Sequence, residues 1–177
     1  MTLSNPHIIE PMRKFGDIVR GYLLRKTNRL VIFRRFNGFM PAGYVVLRRP
    51  DVVELTLNEK WTQMINAEGH AQLASELPKF TFDTLSELMN GLLVRDRNIS
   101  VECENCEGSE ESGFHIGRVV KLAKDHFDFV FFDTKGCWFF STYSIPYSSV
   151  TKIEFDDPYV DTFSKYIEDC PVPRESA

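Results

Sequence analysis

The chain has little cysteine and little histidine, four of each in 177 residues, and no apolar run near the ~20 residues that a bilayer-crossing helix needs. A helical membrane span is therefore not expected. Its ten Gly and nine Pro are scattered without period, which excludes collagen-like and low-complexity readings. Met1 to Arg13 has no basic, apolar and small-residue sequence of signal-peptide type, so the expected compartment is the cytoplasm. Reduced thiols follow from that, because Cys103 and Cys106 are too close in sequence for a useful disulfide staple.

Catalytic signatures are missing as well. There is no G-x-S-x-G elbow, P-loop, G-x-G-x-x-G or H-E-x-x-H, and His7, His70, His115 and His126 are dispersed. Cys103-Glu104-Asn105-Cys106 has the C-x-x-C spacing of a two-thiolate zinc chelate, but no second C-x-x-C or His pair completes it. Completion would need Cys137, Cys170 or His115 to arrive by folding, so an incidental pair is the reading and no cofactor is expected. An enzyme would need a site assembled in space, with Cys106, His115 and Asp125 as its candidates. The expectation is a protein that is not an enzyme.

What the chain does have is fifteen Phe and an internal repeat. Gly21-Tyr-Leu-Leu, Leu30-Val-Ile-Phe33, a turn at Asn37-Gly38, Gly43-Tyr-Val-Val-Leu47 and Val52 to Leu57 form the first copy. Gly117-Arg-Val-Val, Phe127 to Phe132, a turn at Lys135-Gly136, Phe139 to Ile145 and Val150 to Phe155 match them at offsets of 96 to 98 residues. Each copy reads as a meander of short strands rich in Val, Ile, Phe and Tyr. Val150, Lys152 and Glu154 alternate with Thr151, Ile153 and Phe155, as in a strand with one buried face. A flat meander would leave two open edges, and closing it into a small barrel removes them.

Helical spacing appears between and beside the strands. Leu85, Leu88, Met89 and Leu92 fall at i, i+3, i+4 and i+7, with Asp83 placed to cap; Lys60 to Leu77 is helical before Pro78. Met12, Phe15 and Val19 suggest a helix over 8–20, and Tyr159 to Ile167 a trailing one. The expected fold is mainly β with α (α+β): two tandem small β-barrels joined by a helical segment, each with a leading helix, 8–20 and 83–94. The organisation is 1–61 as the first barrel with its N-terminal helix, 62–98 as a helical connector, and 99–177 as the second barrel with a helical tail.

The second copy carries a resemblance. Ile99-Ser-Val-Glu, Gly113-Phe-His-Ile-Gly-Arg-Val-Val-Lys, Asp125-His-Phe-Asp-Phe-Val and Tyr143-Ser-Ile-Pro-Tyr-Ser-Ser-Val-Thr-Lys-Ile-Glu-Phe-Asp look like uncharacterised bacterial proteins with an SH3-like barrel of Sm type. The likeness covers about 99–160 and, more faintly, 16–61. The last strand pair is also similar to the second Sm motif of the bacterial Sm-family RNA chaperone. Where that family carries an RNA-contacting Lys-His pair, this chain has Ser148-Ser149, and Pro50-Asp51 in the first copy. The resemblance implies Sm-like barrels, association into oligomers through strand edges, and binding in place of catalysis.

Charge is unevenly distributed. Residues 1–61 hold eleven Lys and Arg against five Asp and Glu, a balance of +6, while the remainder holds ten against twenty, a balance of -10. Arg25, Lys26, Arg29, Arg34, Arg35, Arg48 and Arg49 are interleaved with aromatics that include Tyr22 and Phe39, the composition that single-stranded nucleic acid needs for phosphate contacts and base stacking. The competing explanation is that this basic copy faces the acidic one, within the chain or in a neighbouring subunit. The leading functional expectation is a binding or scaffolding module with self-association or a protein partner. RNA binding through the first copy is the alternative.

Overall fold

The structure, a computed structural model, describes residues 6–14, 18–104 and 113–175. The chain divides into two compact units, Met1–Lys79 and Phe80–Ala177. In the first, strands β1 (Ile8–Arg13), β2 (Gly21–Lys26), β3 (Leu30–Asn37) and β4 (Met40–Arg48) are followed by a 3-10 turn, β5 (Val52–Leu57), helix α1 (Glu59–Ala67) and a second 3-10 turn at Ala71–Ser75. In the second, helix α2 (Leu85–Arg95) precedes β6 (Ile99–Cys103), β7 (Gly113–Leu122), β8 (His126–Phe131), β9 (Tyr143–Pro146), β10 (Val150–Phe155) and helix α3 (Pro158–Phe163). The stretch 62–98 is thus shared, with α1 in the first unit and α2 in the second. Among the described residues no helix is long and apolar enough to cross a membrane.

The units use the same strand order, fifth-first-second-third-fourth, antiparallel throughout: β5-β1-β2-β3-β4 and β10-β6-β7-β8-β9. The same residue positions set the register. Gly21 pairs with Arg35 and Gly117 with Phe131, and the ladder slips by one residue between Leu23 and Arg25 and again between Val119 and Lys121. A Cβ at Gly21 would lie 2.3 Å from the Arg34 carbonyl oxygen, and one at Gly117 would lie 2.0 Å from that of Val130. No side chain fits there. Glycine lets the neighbouring backbone close in, and the bulge that follows adds local twist to a strand already bent.

Bending gives each sheet an inner and an outer face. In the first unit Val19, Val31, Phe33, Val45, Leu47 and Val52 form one buried cluster, joined by Ile9, Leu23 and Leu55. Ile8, Tyr22 and Phe36 form a second with Ile65 and Trp61 of α1 and with Leu73, so α1 and the turn after it cover the outer face. Asn58 caps α1 by accepting from the Trp61 N–H at 3.0 Å. In the second unit Val120, Val130, Phe132 and Trp138 pack against Phe163, Ile167, Cys170 and Val172, so α3 and the chain after it play the covering part. Truncating one fully buried Phe, such as Phe33, costs about 3–5 kcal/mol.

Two expectations are corrected here. The strands do not close into two small barrels with leading helices: both sheets are open, and no described pair joins the end strands β5 and β4, or β10 and β9, of either unit. The 3-10 turn at Arg49–Asp51 reverses the chain and delivers β5 to β1 at the far edge, so Val52 and Leu55 close over Val45 and Leu47 by side-chain packing alone. The leading helix over 8–20 is also absent, because Ile8–Arg13 is strand β1. Pro11 explains it. Inside a helix it would remove a hydrogen bond, whereas here it lies opposite Leu55, beyond the point where β2 stops pairing with β1. Met12 is 55% exposed although Val19 is buried, so their spacing does not define one helical face, and Phe15 lies outside the described residues.

Helix α2 is a helix where spacing placed one, with Leu88, Met89 and Leu92 buried. Its cap is Thr84, one residue after Asp83: the Thr84 hydroxyl accepts from the Glu87 N–H and the Glu87 carboxylate accepts from the Thr84 N–H, a complete capping box. Gly91 sits within it because the Phe80 ring lies against the helix, 2.3 Å from where a Cβ would be. Strand β10 is buried at all six residues, not on one face. Lys152 can be enclosed because its ammonium meets the Glu102 carboxylate and, at 3.3 Å, that of Glu154, while the Ser100 hydroxyl donates to Glu154.

Gly117→Ala is expected to destabilise the protein by at least ~1–3 kcal/mol, the ordinary cost of overpacking, because the obstruction is backbone and not a movable side chain. Denaturant unfolding measures it, with Gly38→Ala as the comparison: that residue has open space around it and only its φ of +59° to lose.

Candidate functional site

The basic residues of the first unit divide by what they touch. Arg34 lies over the Tyr44 ring at 4.8 Å with its Nε 3.5 Å from Glu76, Arg48 meets Asp51 at 2.7 Å, and Arg49 donates to the Val52 carbonyl at 2.8 Å. These three hold the unit's own turns together. Arg25 and Arg35 are half-buried, and Lys26 and Arg29 are exposed around the turn at Thr27. Tyr22 is enclosed at 1% exposure, its hydroxyl donating to Asn66 at 2.6 Å and its ring edge-on to Phe36, and burial raises its pKa. That ring has no face to offer a base. Phe39 is 41% exposed but stacks on Trp61 at 4.9 Å, and Trp61 in turn lies under the Arg20 guanidinium. Of the predicted set, Arg34, Arg48, Arg49 and Tyr22 are engaged within the unit, while Lys26 and Arg29 are exposed.

Of the metal and enzyme candidates, the structure describes Cys103, His115 and Asp125. Cys103 is buried at the end of β6, Cys106 lies outside the described residues, and no group of three or more His, Cys, Asp or Glu among the described residues could hold a metal. His115 sits near the start of β7 against Phe131, whereas Asp125 follows the other end of that strand and bonds His126 at 2.7 Å. The strand's length separates them.

A different site emerges around His115. Phe114, His115 and Ile116 of β7, Phe131 at the end of β8, Phe132, Asp133 and Thr134 after it, Phe139, and Tyr159 and Phe163 of α3 line an open cavity of about 340 Å³. His115 and Phe131 share one face of the β7–β8 ladder, and Phe114, Ile116 and Phe132 lie on the alternate one, so the cavity is lined at the strand ends and by the segments that follow. Val101 of β6 faces His115 across the ladder, and Gly117 faces Phe131, so β7 and β8 present their rings side by side. Phe131 is the hub: His115 lies 4.8 Å away, Phe139 4.4 Å and Tyr143 4.7 Å between ring centroids. Phe163 forms the floor, stacked on Phe132 at 5.4 Å with 9° between planes. The rim is open, with Phe114 54% and Tyr159 64% exposed.

Two titratable groups line this cavity. Burial holds the His115 imidazole below its ordinary pKa, so it is neutral at physiological pH. Asp133 is held below the usual carboxylate range by the N–H groups of Cys137 and Lys135, both donating to its Oδ1 at 2.9 and 2.8 Å. These bonds also build the turn: the Gly136 N–H donates to the Asp133 carbonyl, and Gly136 takes φ +83°. No Lys or Arg lines the cavity.

The second unit has a polar cleft too, lined by Asp96, Arg97, Arg118, Asp161 and Lys165 among others. Arg97 meets Asp161 at 2.9 Å and Arg118 meets Asp96 at 3.0 Å, so Arg97 ties α3 to the segment after α2 and Arg118 ties the end of α2 to β7. Neither a family model, a curated protein nor a solved structure matches this chain.

Of the cavity residues, the sequence points to His115 alone as a site candidate. The available signal was Phe114 and Ile116 sharing one face of a strand whose partner ends in Phe131-Phe132. What could not be read is that α3 brings Tyr159 and Phe163 to the same place.

The His115 shift has a consequence for stability. Its folded pKa lies below its unfolded value, so above about pH 6.5 it contributes no pH dependence. As pH falls below that value the unfolded chain takes up a proton that the folded chain refuses, and stability drops. Denaturant unfolding between pH 7 and 5 is expected to show a smaller loss for His115→Gln than for the unaltered protein.

Proposed function

We propose that this protein is a non-enzymatic binding or scaffolding module, and that the aromatic cavity of its second unit is where it engages a ligand. The observation that carries this reading is the cavity itself: an open, ring-lined space of about 340 Å³ on which side chains of β7, β8, the segment after β8 and α3 converge. Exposed rings cost solubility, and here they concentrate: Phe114, Phe139, Phe140, Tyr143 and Tyr159 all belong to this unit and are exposed. A second copy or a protein partner would cover such a surface, which supports self-association as part of the same reading.

A protein-observed NMR screen of small aromatic and apolar fragments tests it. Hits are expected to shift the resonances of Phe114, Phe139 and Tyr159, and to be lost in Phe139→Ser. Fragments that bind only elsewhere, or none that bind, would remove the cavity as the site.

Nucleic-acid binding through the first unit is supported by a narrower observation, the exposed pair Lys26 and Arg29 beside one turn. Because Arg34, Arg48 and Arg49 are engaged within the unit, any phosphate contact falls on few cations. Binding of short single-stranded RNA is then expected to be weak, with a log-log salt slope of about -1 to -2 from two phosphate contacts. A steeper slope measured by fluorescence anisotropy would mean that the arginines leave their internal partners.

A further inference from the structure

The cavity in the second unit has a composition that selects for charge as well as for shape. Its walls are five Phe and one Tyr, its one ionised side chain is the Asp133 carboxylate, and no cation lines it. Aromatic rings present a negative π face, and rings surrounding a space about as wide as a small ligand attract a cation with an apolar periphery. Ordinary ammonium is too strongly hydrated to enter such a site, whereas alkylation replaces its N–H donors with methyl groups that pack on the rings. Anionic ligands are disfavoured by Asp133, and strongly hydrogen-bonding neutral ligands would find few partners, since Thr134, His115 and the Tyr159 hydroxyl are the other polar side-chain groups present.

Resting on the reading of this cavity as the binding site, we infer that its ligand class is an alkylated ammonium, as in a quaternary amine or a methylated lysine side chain, held by ring faces around Phe131 and neutralised by Asp133. The geometry is consistent with that role. Phe139 and His115 have centroids within 4.8 Å of the Phe131 ring, Tyr159 and Phe114 stand on the rim, and the Asp133 carboxylate is fixed by two backbone N–H groups on one oxygen. Those two bonds leave the other oxygen of the carboxylate outside the turn they close.

Choline and its uncharged isostere 3,3-dimethyl-1-butanol test this with the full chain. Choline is expected to shift the Phe139 and Tyr159 resonances and to bind at least tenfold more tightly than the isostere. Asp133→Asn, whose side-chain oxygen can still accept from the turn N–H groups, is expected to lower choline affinity about three- to tenfold and leave the isostere unchanged; Phe139→Leu, which keeps apolar volume and loses the π face, is expected to do the same. If the two probes bind equally in the cavity, the cation inference falls while the cavity remains a binding site. If fragments bind there and choline does not, the inference falls alone. Unchanged choline affinity in both variants would overturn it as well.

Discussion

The architecture depends on one close approach of backbone to backbone, repeated once in each unit. At Gly21 and at Gly117 the second strand of the unit lies so near the carbonyl of its neighbour that no Cβ can intervene, and two residues later the ladder slips. Everything enclosed by the bend follows from it. The inner face of the first sheet can gather Phe33, Val45 and Val52 into one cluster because the strands curve around them, and the outer face turns a convex ridge toward α1. The repeat of the glycine, the bulge and the strand order at a constant offset indicates that the two units solve the same folding problem in the same way.

Where the units differ is in how their surplus polar and aromatic groups are used. The first unit uses part of its basic set internally, with Arg34 against Tyr44 and Arg48 against Asp51, and leaves Lys26 and Arg29 exposed. The second unit buries Lys152 between carboxylates on paired strands and leaves its rings outward. A buried ion group of this kind contributes little net stability against an apolar replacement, but it makes the register of β6 against β10 costly to shift, since a slip would leave charges unpaired.

Much of the local structure was legible in the sequence. The Val- and Phe-rich runs gave strands at the expected places, the turn residues Gly38 and Gly136 take positive φ, and Leu88, Met89 and Leu92 of the i, i+3, i+4, i+7 set of α2 are buried as its spacing required. Pro11 was the decisive residue that periodicity overlooked, turning an expected helix into β1. Open strand edges predict barrel closure, but the strands stay open, and Val52 and Leu55 of β5 join the first core by side-chain packing. The basic set was visible as composition, yet composition does not show which guanidinium finds an internal partner. The cavity was least legible, since Phe114, Phe131, Phe139 and Tyr159 span some 45 residues and meet only after β7, β8 and α3 are in place.

The two tryptophans fall one to each unit. Trp61 is half-buried on α1, under Arg20 and against Phe39, while Trp138 is 9% exposed with its indole N–H donating to the Glu168 carbonyl at 2.7 Å. Their surroundings differ in polarity and in quenching groups, so the intrinsic emission of the chain is a sum of two separable reporters. Replacing either one by Phe leaves a single optical probe confined to the other unit. The molecule thereby carries its own means of showing whether its two halves melt together or in sequence.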